Sequence, residues 1–595
     1  MQLFHFKSKL LFLFLFLFSI ITTFTFYNNT FYYDIIVIGS DPEGISAAIS
    51  SARNHSNVLL LDTRDYVGGL YTSGMLSMLD MHYVTSGSFE TVNGGFFKEF
   101  YEHVGDHANI DVEATKRYFT ELLKNEKVTL GLGASNITPI KKENKVIGLS
   151  YIKDGVRFLV NGKVFIDASV DATFARAAGV PYHIGREELG MKNEYAAATL
   201  VFSVQGADWQ KIKHHLNSDK SMDTGANDKV AWGYPNMLNY SPTSSKFQLR
   251  RLNLSLQNDG SVIINAFQIF NTDSLDPDNI KTKYERAAKE LPHIVDFLNA
   301  HAIGFEKASL YKYADELYIR EGVRIIGEYT LTGEDLFNNV HFKNKIAYGS
   351  YPMDLQATRK DQLGGTILSS RNTYTLPITI MVPQIIDNLL VVGRSASFDP
   401  LAHSSARTVP IGMALGQAAG TLASYSLNGS LSVRACSLSP LHVKNIQANL
   451  AASGVVLSTP LNTSHPEKMS YAYPYIVSLR KKAFLSMAYN YHNDYRCKEA
   501  ATAQSVAHIL TLIRVNSSIK LPALSTLSTD QKSLTPNQMV TIFNQLLNTD
   551  CMSLNDLYNT GIIDNTTLMH TKGTRILLNE DVYAMMSGLI HFLPK

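Results

Sequence analysis

The chain has 595 residues, 45% hydrophobic and 18% charged, enough apolar material for a large core and about four domain-sized units. Its net charge of +2 leaves no polybasic field, which argues against a nucleic-acid partner. The three cysteines, Cys436, Cys497 and Cys551, have no metal-ligand spacing, so no metal site is expected, and they allow at most one disulfide, Cys497 with Cys551.

The N-terminus carries Lys7 and Lys9 ahead of an apolar run from Leu10 to Phe18. A positive flank before a short hydrophobic stretch is the pattern of a secretory signal. The run is short for a bilayer span of roughly 20 residues, yet no small-x-small cleavage site follows it. Residues 1–30 are therefore expected to be a signal peptide or a membrane anchor. The catalytic body would then be secreted or membrane-anchored outside the cytoplasm, with membrane or cell-surface attachment as an open contact. Nine Asn-x-Ser/Thr sequons fit export.

From Tyr33 a strand, a tight turn and a helix follow one another. Asp34–Ile38 is a β-branched run suited to a strand buried on both faces of a parallel sheet. Residues 43–54 have a helical period, and Val58–Leu61 is a second strand ending at Asp62. The loop Gly39-Ser40-Asp41-Pro42-Glu43-Gly44 takes the place of a G-x-G-x-x-G turn. Gly39 permits the turn, Gly44 lets the helix approach the sheet, and the helix N-terminus faces a diphosphate. Asp62, with Thr63 beside it, stands where a carboxylate meets adenosine ribose hydroxyls. Asp41 replaces the middle glycine and adds bulk and negative charge near the phosphates. The competing reading is an ordinary strand–helix turn.

Further segments point the same way. Gly68, Gly69 and Ser73 form a small-residue stretch, otherwise a surface loop, and Asp167-Ala168 close a strand at Val164–Ile166. His82 and Tyr83 follow the first of these and are candidates to reach a bound ring. Residues 247–270 alternate like antiparallel strands, and 280–325 are expected to be helical. Parallel-type strands return at Asn388–Val392, followed by Gly393 and Arg394 and a long helix from about Pro410. Gly412, Gly416 and Gly420 recur at four-residue spacing, with Gln417 and Ala418 between them. Each glycine costs a helix about 1 kcal/mol against alanine, so something must approach this face closely. A ligand and a second helix are the two options.

These motifs together resemble FAD-dependent oxidoreductases, related in fold to fumarate reductase flavoproteins and the glutathione-reductase-like class. The matching residues are Asp34–Gly39 with Pro42–Gly44, Gly68–Leu70, Asp167–Gly179, Arg320–Glu321 with Arg324–Tyr329, Asn388–Arg394 and His403–Gly420. The resemblance spans roughly residues 33–455. It implies FAD as cofactor and an α/β doubly wound FAD-binding domain split in sequence. The expected parts are a first FAD-binding segment at 31–190, an inserted α+β substrate domain at 191–345 and a second FAD-binding segment at 346–455. A mostly helical C-terminal module follows at 456–595. Val323 and Thr379 depart from the family's pattern, where relatives carry arginines. The C-terminal stretch faintly resembles degenerate S-layer-homology modules at Tyr475–Leu485, Leu534–Leu547 and Leu557–Ile563.

For chemistry, His403 is a proton donor or acceptor candidate against a plain loop histidine. Arg407 would neutralise a reduced flavin or hold a substrate carboxylate, against a salt bridge fixing the loop. Arg320 and Arg324 are expected on one helix face as an anion pair or an ion-pair network, with Arg324 the catalytic candidate. The implied activity transfers a hydride between a small organic substrate, which includes carboxylate-bearing molecules, and flavin N5. The electron acceptor is unknown. The alternative is an exported FAD-fold surface or binding module with weakened or lost catalysis.

Overall fold

The computed structural model describes residues 30–84, 90–219, 223–362, 365–369, 372–459, 465–487, 494–522 and 532–594. The expected signal or anchor, residues 1–30, lies outside the described residues apart from Thr30. Among the described residues no helix is long and apolar enough to cross a membrane.

A seven-stranded sheet organises the chain. Strand β1 (Thr30–Ile38) is followed by helix α1 (Pro42–Arg53) and strand β2 (Val58–Leu61). β1 pairs in parallel with β2, which pairs in parallel with β3 (Thr129–Gly131). Strands β4 (Ser135–Lys142), β5 (Lys145–Lys153) and β6 (Val156–Asp167) extend the sheet. The end of β6 runs parallel to β1, with Ile35 opposite Val164 and Ile38 opposite Asp167. Along its other edge the start of β6 pairs antiparallel with β5, and Phe165–Asp167 pair in parallel with a late strand discussed below. Two-residue alternation divides β1 between faces: Ile35 and Val37 join one apolar cluster, Ile36 and Ile38 another. Burial on both sides is what the β-branched run requires.

A second, antiparallel sheet of six strands spans Phe202–Tyr313. It packs under helix α2 (Pro277–His301), which buries Leu291, Ile294 and Leu298 in a separate apolar cluster. The expected strands of 247–270 are present and antiparallel. The helical expectation for 280–325 holds only to His301. Ser309–Tyr313 joins the sheet, and Val323–Ile325 pairs with Tyr182–Ile184. Arg320 and Arg324 therefore do not share a helix face, because sheet pairing overrides their i,i+4 spacing.

Strand β7 (Leu389–Val391) returns to the first sheet beside β6, as the sequence predicts. Helices α3 (Pro400–Ala406) and α4 (Val409–Asn428) follow. The mixed α/β architecture with a parallel core is thus observed. The three cysteines are free, so the Cys497–Cys551 bridge is absent. Backbone around Cys551 is held by Asn544, whereas the carbonyl of Cys497 accepts from Glu580 N.

The C-terminal helices do not form a separate core. Leu479, Phe543, Met586 and Leu589 belong to the same apolar cluster as Ile35 and Val37. Arg480 fixes the junction: its fully buried guanidinium donates twice to Glu334 at 2.7 Å and lies 4.9 Å from the Phe337 ring centroid. Glu467, 2% exposed, flanks it at 3.8 Å. Removing one partner of a buried pair strands the other, at a cost of about 3–5 kcal/mol. Arg480→Met should therefore lower stability by about 3 kcal/mol in urea denaturation. A loss within a few tenths would show that this junction carries no stability.

Candidate functional site

The first loop is built on close backbone approach. Gly39 has φ +98°, and a Cβ there would lie 2.7 Å from the Ala168 carbonyl oxygen. A Cβ on Gly44 would lie 2.0 Å from the Gly39 carbonyl oxygen. Glycine is required at both positions. Pro42 opens α1, and Asp41 is its N-cap residue in extended backbone. The Asp41 carboxylate does not cap the helix. It accepts from Leu70 N at 2.8 Å and from both Arg64 terminal nitrogens at 3.3 and 3.1 Å. Gly69, at φ +37°, leaves room for it, since a Cβ there would meet Asp41 Oδ1 at 1.9 Å.

Asp62 lies at the end of β2, where the sequence puts it. Its Oδ2 accepts from Ser40 N at 2.5 Å and Ser40 Oγ at 2.6 Å. Its Oδ1 accepts from Arg64 N and Nε at 2.8 and 3.1 Å. Arg64, which also reaches Glu316 at 3.0 Å, is the residue that sequence reasoning missed. Its signal was the Asp41 substitution: a buried carboxylate in a phosphate loop needs a cation nearby.

Glu43 is buried between two later segments. A Cβ on Gly393 would lie 2.4 Å from Glu43 Oε1, and one on Gly412 would lie 3.4 Å from Oε2. Burial and the neighbouring Asp41 charge push the Glu43 carboxyl up to about 7. Burial also works against the Asp41 anion, but Arg64 and Arg394 outweigh it and hold Asp41 below the usual range. Arg394 Nε is buried without a hydrogen-bond partner. Thr63 is exposed, and Ser73 borders a separate cavity of about 640 Å³ with Asp111 and Asp315. Asp167, fully buried, is consumed by Ser169 and Ala175.

The glycine stripe of α4 has its partner in α1. A Cβ on Gly416 would lie 2.1 Å from the Glu43 carbonyl oxygen, and one on Gly420 would lie 2.5 Å from that of Ala47. Ser46 and Ser50 donate to the Met413 and Gln417 carbonyls at 2.6 and 2.8 Å. Gln417 Oε1 accepts from Phe96 N at 2.8 Å, and Ala418 is fully buried. Of the two options in the sequence, the second helix is what approaches. Gly416, Gln417 and Ala418 serve that packing.

A cavity of about 480 Å³ is lined by Asp80, Trp232, Arg250, Arg251, Tyr318, Arg320, Tyr351, Asp354 and Arg407. The buried hydroxyl of Tyr71 feels the charges of both Asp80 and Glu43. Arg407 donates to the Tyr318 hydroxyl at 3.1 Å and lies 3.7 Å from Asp354. Arg320, 3% exposed, donates to the Ala197 carbonyl and Thr199 Oγ1 at 3.0 and 2.7 Å. Among the described residues it has no carboxylate partner, and burial lowers its pKa to about 10. Burial raises the Asp80 carboxyl, against the opposing charge of Arg407, and Asp80 hydrogen-bonds Tyr351.

Of the three catalytic candidates, only Arg407 lines this cavity. Arg324 is fully buried, with Nε on the Phe398 carbonyl at 2.9 Å, Nη1 on that of Gly185 at 2.7 Å and Nη2 on Glu188. His403 is not a loop residue: it sits in α3, 2% exposed, with Nε2 unpaired. Burial, then Arg324 and Arg407, hold its pKa well below the ordinary histidine value. His82 is buried, joining Thr408 Oγ1 at 2.6 Å to the backbone N–H of Ser350 at 2.8 Å.

The sequence pattern of FAD dependent oxidoreductases matches residues 34–450. The chain belongs to this family. It is an FAD-dependent oxidoreductase, and FAD is its cofactor. No curated protein matches it in sequence. Among solved structures it is similar to a geranylgeranyl bacteriochlorophyll reductase-like protein of Thermoplasma acidophilum. That pair shares 12% identity over 82% of this chain and 97% of the other, with a TM-score of 0.38. A p-nitrophenol 4-monooxygenase of Pseudomonas putida shares 10% identity over 77% of this chain and 94% of its own, with a TM-score of 0.34. These scores are low, and membership rests on the family match. That match ends before residues 456–595, so the S-layer resemblance gains no support, nor does the finer relation to fumarate reductase flavoproteins.

The residues present fit the cofactor's diphosphate. Arg394 Nε is orphaned and buried, and the twelve-residue α1 points its N-terminus into the loop, whereas Arg64 is already engaged by Asp41, Asp62 and Glu316. The whole cradle depends on the α1–α4 contact. Gly416→Ala would gain about 1 kcal/mol of helix propensity but drive a Cβ into backbone that cannot move aside. A net loss of about 2 kcal/mol is expected in thermal or urea unfolding. A neutral or stabilised variant would show that the helices can separate freely.

Proposed function

We propose that this enzyme transfers a hydride between flavin N5 and a small anionic, carboxylate-bearing substrate held in the Arg250–Arg320–Arg407 cavity. FAD, when bound, supplies the redox chemistry; the chain binds, orients and tunes the proton inventory. Residues 31–190 and 346–455 would form the two parts of the cofactor domain, 191–345 the inserted substrate domain and 456–595 the helical module.

One observation carries the substrate reading. Four arginines and two carboxylates line the cavity; Arg251 is paired with Asp223 outside the lining at 2.8 Å, and among the described residues Arg320 has no carboxylate of its own. A guanidinium forced out of water without an anionic partner is the best placed to take one from a ligand. Arg407, already shared with Tyr318 and Asp354, would support the same anion. Asp80, protonated more readily than an ordinary carboxyl, would give or take a proton at the substrate.

Adding benzoate to the holoenzyme should perturb the flavin absorption spectrum, whereas neutral benzamide should bind far more weakly. A hydrogen bond to a charged group contributes about 1.5–3 kcal/mol, so Arg320→Met should weaken benzoate binding by about one to two orders of magnitude. FAD content should not change. Equal binding of benzoate and benzamide, or an unaffected Arg320→Met variant, would contradict the substrate reading.

Export is a separate proposal, supported by the N-terminal charge pattern and the sequons. Asn136, Asn239, Asn428 and Asn565 are exposed, whereas Asn516 is 2% exposed and donates to the Ala483 carbonyl. Glycans, if the chain traverses a glycosylating compartment, should occupy the first four and spare Asn516. A glycosidase mobility shift on protein from a eukaryotic secretory host, with site mapping, checks this.

A further inference from the structure

The cradle that must accept a diphosphate already contains anions. Asp41, Glu43, Asp62 and Glu316 share one charge network with Arg64 and Arg394. With every group ionised, three buried carboxylates and the half-buried Glu316 face two guanidiniums, and a diphosphate adds more negative charge beside them. We propose that FAD enters this enzyme together with a proton taken up by Glu43, so that cofactor loading is linked to pH. The proposal rests on the reading of residues 39–44 as the cofactor cradle.

Burial raises both Glu43 and Glu316, but Glu316 is paired with Arg64 at 3.0 Å and its side chain is 35% exposed, so Glu43 is the group that can yield. Asp41 is held as an anion by the Arg64 fork and the Leu70 N–H, and the Asp62 oxygens are taken up by Ser40 and Arg64. Among the described residues Glu43 pairs with no guanidinium, and its one hydrogen bond is to its own backbone N–H. Arg394 acts on it only through its charge, while burial and Asp41 oppose its ionisation. The charged and titratable groups that face it are Asp41 from the loop, Arg64 from beyond β2 and Arg394 from beyond β7. Tyr71 approaches from the turn Gly69–Tyr71. The packed face of α4 presents Gly412 and Gly416, which carry no charge. Glu43 is also wedged against Gly393 and Gly412, so its carboxyl cannot swing to solvent without moving a turn or a helix. Protonation removes a negative charge and makes the carboxyl a donor to an incoming anion.

The sign follows from linkage. The carboxyl titrates near 7, above an ordinary glutamate. Below that pH it is protonated before FAD arrives and affinity is flat. Above it, each pH unit should weaken FAD by about tenfold, because one proton must be taken up.

The test measures the FAD dissociation constant of the full-length chain from pH 5.5 to 8.5, read as free-flavin fluorescence released from diluted holoenzyme. Wild type should be flat below about pH 7 and weaken about tenfold per unit above it. Glu43→Gln should abolish the slope and hold FAD at pH 8 as tightly as wild type does at pH 6. Independently of any variant, calorimetric titration in two buffers of different ionisation enthalpy should show about one proton taken up per FAD at pH 8. Pooled with that, a slope retained in Glu43→Gln, or no proton uptake by wild type, overturns the proposal. If FAD binds with no pH dependence, the proton linkage fails while the cradle reading stands. If FAD binds at no pH, both fail.

Discussion

Everything at this site depends on one packing constraint, the backbone contact between α1 and α4. α1 is caught between the sheet, through Gly39 and Gly44, and the long helix, through Gly412, Gly416 and Gly420. No side chain separates the two helices where Gly416 meets the Glu43 carbonyl, and Ser46 and Ser50 stitch their backbones together. Close-packed interiors respond to a single added methyl group. The position of the loop, and of the carboxylates on it, is therefore fixed by residues more than 360 positions away in sequence.

That fixed loop sets the electrostatics. Replacing a glycine by Asp41 would normally leave a buried anion uncompensated, but Arg64 pairs with it and with Asp62, while Gly69 makes the space. The loop is thus locked by a side-chain network where a plain glycine turn would rely on backbone alone. Tyr71 lies within reach of charge from both regions, Asp80 on one side and Glu43 on the other.

Much of the first βαβ unit was legible because its rules are local. A β-branched strand, a glycine turn, a proline-opened helix and an acidic strand end need only neighbours in sequence to be recognised. The glycine stripe was legible as a demand for close approach, but its partner was not, because α1 is remote in the chain. Arg320 and Arg324 misled for the opposite reason. Their spacing suits a helix, yet Val323–Ile325 is recruited by Tyr182–Ile184, and the two arginines part: one into a cavity, one into a saturated knot. The cavity itself gathers residues from five separate stretches between Leu76 and Arg407, and no local pattern announces such a juxtaposition.

The central claim is that the loop of residues 39–44, with its two extra carboxylates, is a working FAD cradle. Quantifying the flavin released by denaturing the purified full-length protein, after loading with FAD at pH 6 and desalting at that pH, tests this most directly. The account predicts about one FAD per chain. A colourless protein that retains no flavin under those conditions would contradict it.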